Sequence, residues 1–338
     1  MSAIEEVGSQ APAVEAVPKR AMTLSSGTAF VVVLLLLVVP LFVKNFIIFQ
    51  MTMLLIYGLA VLALNILTGG SGQFSLGQSA FYAVGAYTSA ILMEQYNINY
   101  ALTLPVAGVV CFGFGFLFGQ PALRLSGVYL ALATFALATA MPQILKLGFF
   151  EHWTGGVQGL VVTKPDAPFG LPMSQDMWLY YFTLAITIAI FIFSENLLRS
   201  RSGRAFMAIR DNEIAASAMG IDVATYKTLA FGVSAGITGV AGGLGAIAVQ
   251  FVAPDSYTIV LAISLFLGMV VGGVGWLPGS FIGAAFIIFV PNIAEGISKG
   301  LSGAVFGVLL FLIIFLVPHG ARQVAMVAQQ LLSKVRKT

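Results

Sequence analysis

Charge is scarce in this chain. Only 9% of its 338 residues are Asp, Glu, Lys or Arg, while 59% are hydrophobic, against about 25% charged and 45–50% apolar in an ordinary soluble domain. Water is therefore excluded as the main solvent of the fold. Cysteine is nearly absent too: Cys111 stands alone, which rules out an intrachain disulfide and any Cys-based metal site. The two histidines, His152 and His319, have no acidic cluster beside them, so neither a zinc site nor a His-based catalytic centre can be assembled. The dipeptide Gly-Lys occurs nowhere, which excludes a Walker A loop, and any ATP must be used by another subunit. The middles of the long apolar stretches also lack Asp, Glu, Lys and Arg. An ion- or proton-coupled carrier usually needs such a group at membrane depth, because something must change charge during its cycle.

What is present is apolar length. A helix needs about 20 mainly apolar residues to cross the hydrocarbon core, and ten stretches approach this, near residues 28–43, 47–68, 76–93, 101–119, 126–147, 177–198, 228–250, 258–273, 279–297 and 303–318. The third and ninth are rich in Gly, Ser and Ala and suit half-helices or re-entrant pieces. The expectation is thus an all-α polytopic membrane protein with roughly eight to ten transmembrane helices. Small residues recur at four-residue spacing in Gly115/Gly119, Gly239/Gly243, Gly268/Gly272 and Gly279/Gly283, a pattern that lets helix backbones approach closely, here read as packing within the chain. A weak internal similarity links residues 69–81 (GGSGQFSLGQSAF) with 272–286 (GGVGWLPGSFIGAAF).

Placing the N-terminus inside puts 12 of the 16 basic residues on the cytoplasmic side, leaving Lys44, Lys146, Lys164 and Lys299 outside; this is the asymmetry of the positive-inside rule. Both termini are then cytoplasmic. Residues 1–27 read as a disordered cytoplasmic tail, 28–320 as the membrane domain and 321–338 as a basic cytoplasmic tail. Within the domain, 149–177 is a periplasmic segment and 199–227 a polar cytoplasmic loop. His152 is expected on the outer surface and His319 at the cytoplasmic end of the last helix. Mild polarity within or beside the spans, from Asn65, Ser75, Gln78, Ser79, Thr88, Thr134 and Thr139, suits the wall of a path for a small neutral or zwitterionic solute.

In the polar loop, Phe206, Ile209, Ile214, Ala218 and Ile221 recur at approximate helical spacing among charges. Asp211 or Asn212 can cap a short helix starting near Glu213, and Gly220 can end it. Because residues 213–220 contain no Lys or Arg, a groove on a partner protein suits this helix better than lipid headgroups.

The spacing of Glu213, Ala215, Ala216 and Gly220 resembles the EAA loop of ABC-importer permeases, although Ile214 stands between the glutamate and the alanines. More specifically, 203–222 (GRAFMAIRDNEIAASAMGID) resembles the LivM type of permease for branched-chain amino acids. So do 62–92 (LALNILTGGSGQFSLGQSAFYAVGAYTSAIL), 153–160 (WTGGVQGL) and 254–284 (PDSYTIVLAISLFLGMVVGGVGWLPGSFIGA). The four matches stand in order and cover most of residues 50–320.

The resemblance implies an ABC-importer permease, without catalytic residues, metal or cofactor of its own, in the bacterial inner membrane. Its implied partners are a LivH-like second permease chain, two ATP-binding subunits that hold ATP and Mg, and a periplasmic solute-binding protein; nothing points to nucleic acid. It implies coupling through Gly203, Arg204, Arg210, Asp211, Glu213, Ala215, Ala216 and Gly220, and a solute such as Leu, Ile or Val. Relatives of this type also carry urea, short amides or aromatic acids. A stand-alone channel or secondary carrier is the alternative class, and a purely structural membrane subunit a third.

Overall fold

The computed structural model describes residues 26–122, 125, 127–167, 173–297 and 307–308. All but the last two residues of the proposed N-terminal tail, the whole C-terminal tail, Arg124, Lys299, His319 and nearly all of the tenth candidate span lie outside the described residues. Each of the other nine candidates is helical. The described residues are mainly α-helical, with one two-residue strand pair among them.

The first helix, α1 (Ser26–Val38), is a unit by itself and is apolar along its length. The second unit begins with a 3-10 turn, Val39–Leu41, followed by α2 (Asn45–Asn65), which continues into a π-helical turn, Ile66–Gly70. Next come α3 (Gln78–Glu94), α4 (Tyr100–Ala122), α5 (Val128–Leu145), the single turn α6 (Glu151–Thr154) and α7 (Gln175–Arg199). Two short helices, α8 (Arg201–Asp211) and α9 (Glu213–Ala218), precede α10 (Val223–Val249), α11 (Ile259–Gly272) and α12 (Gly279–Ile297). Among the described residues, six stretches are long and apolar enough to cross a membrane: Asn45–Gly70, Tyr100–Gln120, Val128–Leu145, Gln175–Arg199, Val223–Val249 and Pro254–Gly272. Val31–Leu41 and Gly279–Ile293 are shorter apolar helices.

Helix α10 is central, and its small residues make it so. Gly232 and Gly236 lie against Phe112 of α4, and Gly239 against Cys111, while Gly242 and Gly245 receive Tyr82 of α3. Gly115 of α4 faces Ala235. In lipid no hydrophobic drive pushes helices together, so close backbone approach and dispersion contacts hold them. The remaining small-residue pairs behave alike: Gly268 of α11 meets Gly283 of α12, and Gly272 meets Gly279. All four pairs therefore serve packing inside this chain.

Contacts divide the loops into two ends. At one, Gln95 donates to the carbonyls of His152 (3.0 Å) and Trp153 (3.3 Å), Lys146 pairs with Asp255 (2.5 Å), and β1 (Leu160–Val161) pairs antiparallel with β2 (Phe251–Val252). At the other lie α8, α9 and the turns after α2 and α11. This second end is the Arg-rich end, with Arg201, Arg204 and Arg210 on α8.

The third candidate span is shorter than its neighbours because it starts inside the bundle. Gln73 Nε2 donates to the carbonyl of Lys227, four residues into α10, at 3.1 Å. Gln78, the first residue of α3, bonds Ser234 and Thr238 further along the same helix. At 1.5 Å per residue the chain rises from about 6 Å to about 20 Å along α10 before helix resumes. Residues 71–77 make this rise, with Ser71, Gln73 and Ser75 buried, and Gly72 and Phe74 turned outward.

Candidate functional site

At the Arg-rich end a corner, two capped helices and a glycine stop are built from local signals. Ser200 caps α8, its Oγ accepting from Gly203 N–H. Gly203 is a glycine of necessity, because a Cβ there would strike the backbone of Leu198 at the α7–α8 corner. Arg204 donates to the carbonyl of Arg199, one of the free acceptors at the end of α7 (3.1 Å). Asn212, and not Asp211, caps α9: its Oδ1 accepts from Ala215 N–H at 2.9 Å. Gly220, at φ +81°, closes α9 in a Schellman arrangement, with Gly220 N–H on the Ser217 carbonyl (2.9 Å) and Ile221 N–H on that of Ala216 (3.1 Å).

The short helix expected from Glu213 to the stop at Gly220 is α9, and α8 precedes it as a separate helix. The bend at Asn212 splits the apolar residues into opposite duties. Phe206 and Ile209 are buried beneath α8, and Ala216 beneath α9. Ile214 and Met219 are 83% and 84% exposed, the most outward apolar side chains of the segment. Ala215 is exposed as well. Glu213 is held by Lys227 of α10 at 2.6 Å.

Arg210 has three engagements. Its Nε and Nη2 donate to Asp211 Oδ1 (3.1 and 3.0 Å), and its Nη1 reaches across to the carbonyl of Gly69 (2.7 Å). Beside it opens a polar cleft of about 270 Å³, walled by Ser71, Gln73, Phe74, Arg210, Asn212 and Lys227 among others. Gln73 and Lys227 were not singled out by the sequence. Lys227 is separated from Glu213 by the glycine stop, and only the turn at Gly220 brings the two together.

The residues read as a solute path fall in three places. Ser75, Gln78, Ser79 and Thr134 gather around the extended segment: Thr134 Oγ1 accepts from Leu76 N–H (2.9 Å), Ser75 Oγ from Gly77 N–H (3.2 Å). Gln78 donates to Ser234 (2.9 Å) and accepts from Thr238 (2.7 Å). Ser79 Oγ is buried without a hydrogen-bond partner among the described residues. Thr139 lies on the exposed face of α5 and Thr88 on α3, each bonded to its own helix. Asn65 belongs to neither group. It is 1% exposed, and its amide bridges to the turn after α11, donating to the carbonyls of Gly273 (3.3 Å) and Trp276 (3.0 Å) and to Ser280 Oγ (3.3 Å), and accepting from Gly275 N–H (2.6 Å).

Comparison with known proteins identifies the family of the chain. The family described as "Branched-chain amino acid transport system / permease component" matches residues 46–317. The high-affinity branched-chain amino acid transport system permease protein LivM of Salmonella typhimurium is 35% identical over 247 residues, 66% of this chain and 58% of that protein. LivM of Escherichia coli K12 is 34% identical over 271 residues, 73% of this chain and 63% of that protein. The autoinducer 2 import system permease protein LsrC of Escherichia coli O157:H7 is 29% identical over 262 residues, covering 75% and 72%. The chain thus spans about three fifths of the length of the two LivM relatives. No solved structure matches it.

Proposed function

Because the chain belongs to the branched-chain amino acid transport system permease family, we propose that it is the membrane-spanning subunit of an ATP-driven importer, moving Leu, Ile or Val across the bacterial inner membrane. The observation that carries this reading is the α8–α9 segment: a helix fixed at both ends by its own caps, pinned through Lys227 to α10, with Ile214 and Met219 presented outward. Two exposed apolar side chains on a rigid, non-basic turn fit a groove on a protein partner. That partner is an ATP-binding subunit, which holds the ATP and Mg; this chain needs no cofactor. The orientation is the one given by the basic residues, with the Arg-rich end in the cytoplasm.

Mechanism follows from differential contact. Closure of two ATP-binding subunits displaces α9, and the membrane helices switch between inward- and outward-facing states, each favoured by a different set of contacts. A periplasmic binding protein delivers the solute to the opposite end, and a second, LivH-like permease chain completes the pathway. The extended segment with Ser75, Gln78, Ser79 and Thr134 forms part of its wall. Non-helical backbone inside a bilayer is tolerated where it is buried in protein or lines a watery path, and mild hydroxyl and amide polarity suits a zwitterion that must not be held tightly.

The test is co-purification of the chain with its partner subunits, followed by ATPase assay with and without binding protein and Leu, Ile or Val. Stimulation by a branched-chain amino acid supports both class and solute. Stimulation only by another solute, as the likeness to LsrC allows, keeps the class and replaces the solute. Solute movement without ATP overturns the proposal in favour of a carrier acting alone.

A further inference from the structure

The two glycine-rich stretches that resemble each other in sequence also meet in space. Each joins two helices, α2 to α3 and α11 to α12, and each holds a glycine at positive φ at the same place in the similarity, Gly72 (+75°) and Gly275 (+79°). Gly69 lies so close to Gly275 that a Cβ on it would stand 2.5 Å from the Gly275 nitrogen and 2.6 Å from Asn65 Oδ1. In the turn at 273–276 Asn65 serves three backbone groups, Gly273 O, Trp276 O and Gly275 N; the two carbonyls also accept from Trp276 N–H (3.3 Å) and Gly279 N–H (3.1 Å). A buried amide with its donors and acceptor all committed to one distant turn is a connection.

The other end of that connection is the coupling segment. Asn65 is followed at once by the π-helical turn Ile66–Gly70, whose Gly69 carbonyl receives Arg210 Nη1 at 2.7 Å. Hydrogen bonds to a charged donor are short and strong, and π turns inside α-helices are rare and frequent at functional sites. Hydrogen bonds of 2.6–3.3 Å therefore join Arg210 to Gly69, and join Asn65, four residues before Gly69 on the same stretch of helix, to Gly273, Gly275, Trp276 and Ser280. Spatial continuity becomes coupling when an element on the path has two arrangements; the π turn, in a register unlike the α-helix before it, is the element on this path that could re-register.

We propose that Asn65 is the joint through which displacement of the α8–α9 segment reaches α11 and α12. This rests on the importer reading above. The joint makes the two similar helix pairs move as one when the partner subunit closes, and without it α9 moves while the second pair stays behind.

The experiment uses the complete reconstituted transporter with Asn65→Leu, which keeps the branched heavy-atom skeleton of the side chain and removes all four hydrogen bonds. Subunit assembly and basal ATP hydrolysis are expected to stay within about twofold, while solute-stimulated hydrolysis and uptake fall tenfold or more. A spin label on Val274, an exposed position in the turn, should change its spectrum between nucleotide-free and vanadate-trapped states in the parent and lose that change in the variant; a label on Met219 should keep its own. Persistence of the Val274 change, or uptake at the parental rate, overturns the assignment. So does a proportional fall of basal hydrolysis, stimulation and uptake, which marks a merely structural role. Should Asn65→Leu fail to assemble, Asn65→Ser, which shortens the reach but keeps a hydroxyl, is measured in the same way. Absence of ATP-dependent uptake in the parent itself would instead strike at the importer reading.

Discussion

Gly85 of α3 and Gly239 of α10 cross with backbone on backbone: a Cβ built on Gly85 would fall onto the carbonyl of Gly239. Neither chain can yield without moving a whole helix. Gly85→Ala should therefore overpack the interface, at a cost of about 1–3 kcal/mol. Gly113 of α4 is the control, because a Cβ there meets nothing within 4 Å. Gly113→Ala gains helix propensity of about 0.5–1 kcal/mol. Thermal denaturation of the detergent-solubilised variants should separate them, with Gly85→Ala below the parent and Gly113→Ala at or above it. Equal midpoints would show that α3 and α10 are further apart than described.

The spans were legible because long apolar runs have few alternatives to a membrane helix. The ends of α9 were legible too, since a cap and a glycine stop are local signals. Asn65 was not. From sequence it is one polar residue in an apolar run, and a path is a reasonable destination for it; its four partners lie 208 to 215 residues away. The interruption before α3 was hinted at by its Gly and Ser content, but its rise inside the bundle depends on Gln73 and Gln78 finding α10. The inward turn of Phe206 and Ile209 was hidden for a related reason. Helical spacing assigns residues to a face, and the bend at Asn212 reverses which face looks out.

Gly220 adopts φ +81° with open space around it, so its requirement is conformational, not steric. A branched residue there is strained, and the Schellman closure of α9 should be lost. Glu213 and Lys227 form a partly exposed pair of the kind that contributes about 0–1 kcal/mol. The double variant Glu213→Leu with Gly220→Val should accordingly insert and fold, yet lose solute-stimulated ATP hydrolysis. Normal stimulation in the reconstituted double variant would remove α9 from the coupling path.

Asp222 caps α10, accepting from Thr225 N–H (3.3 Å) and Thr225 Oγ1 (2.5 Å). The Thr225 side-chain bond, with the backbone bonds behind it, holds the carboxyl below its usual range. A carboxyl depressed in the fold contributes stability that is present above its unfolded value and is lost as pH falls through the folded one. The side chain is fully exposed, so the effect should be local. Protection of the Thr225 amide against hydrogen exchange, taken relative to its intrinsic rate at each pH, is expected to fall on acidification past the ordinary carboxylate range. Asp222→Asn should keep that protection and make it independent of pH, because the amide oxygen still accepts; Asp222→Ala should be unprotected at every pH.

Orientation can be settled with the chain's own near-absence of cysteine. Cys111 is fully buried between α4 and α10, its thiol on the carbonyl of Phe81 at 3.4 Å, and should stay silent toward a bulky, charged maleimide. Met219 on α9 and Val157 in the loop after α6 are both exposed, and they lie at opposite ends of the helices. With the basic residues retained in the cytoplasm, Val157→Cys is expected to label in intact spheroplasts and Met219→Cys only in inside-out vesicles. The reverse pattern would place α9 outside, where no ATP-binding subunit can reach it, and would end the importer mechanism along with the orientation. Labelling of both from one side would mean that the intervening segments do not cross as read, since an odd number of crossings must separate the two positions.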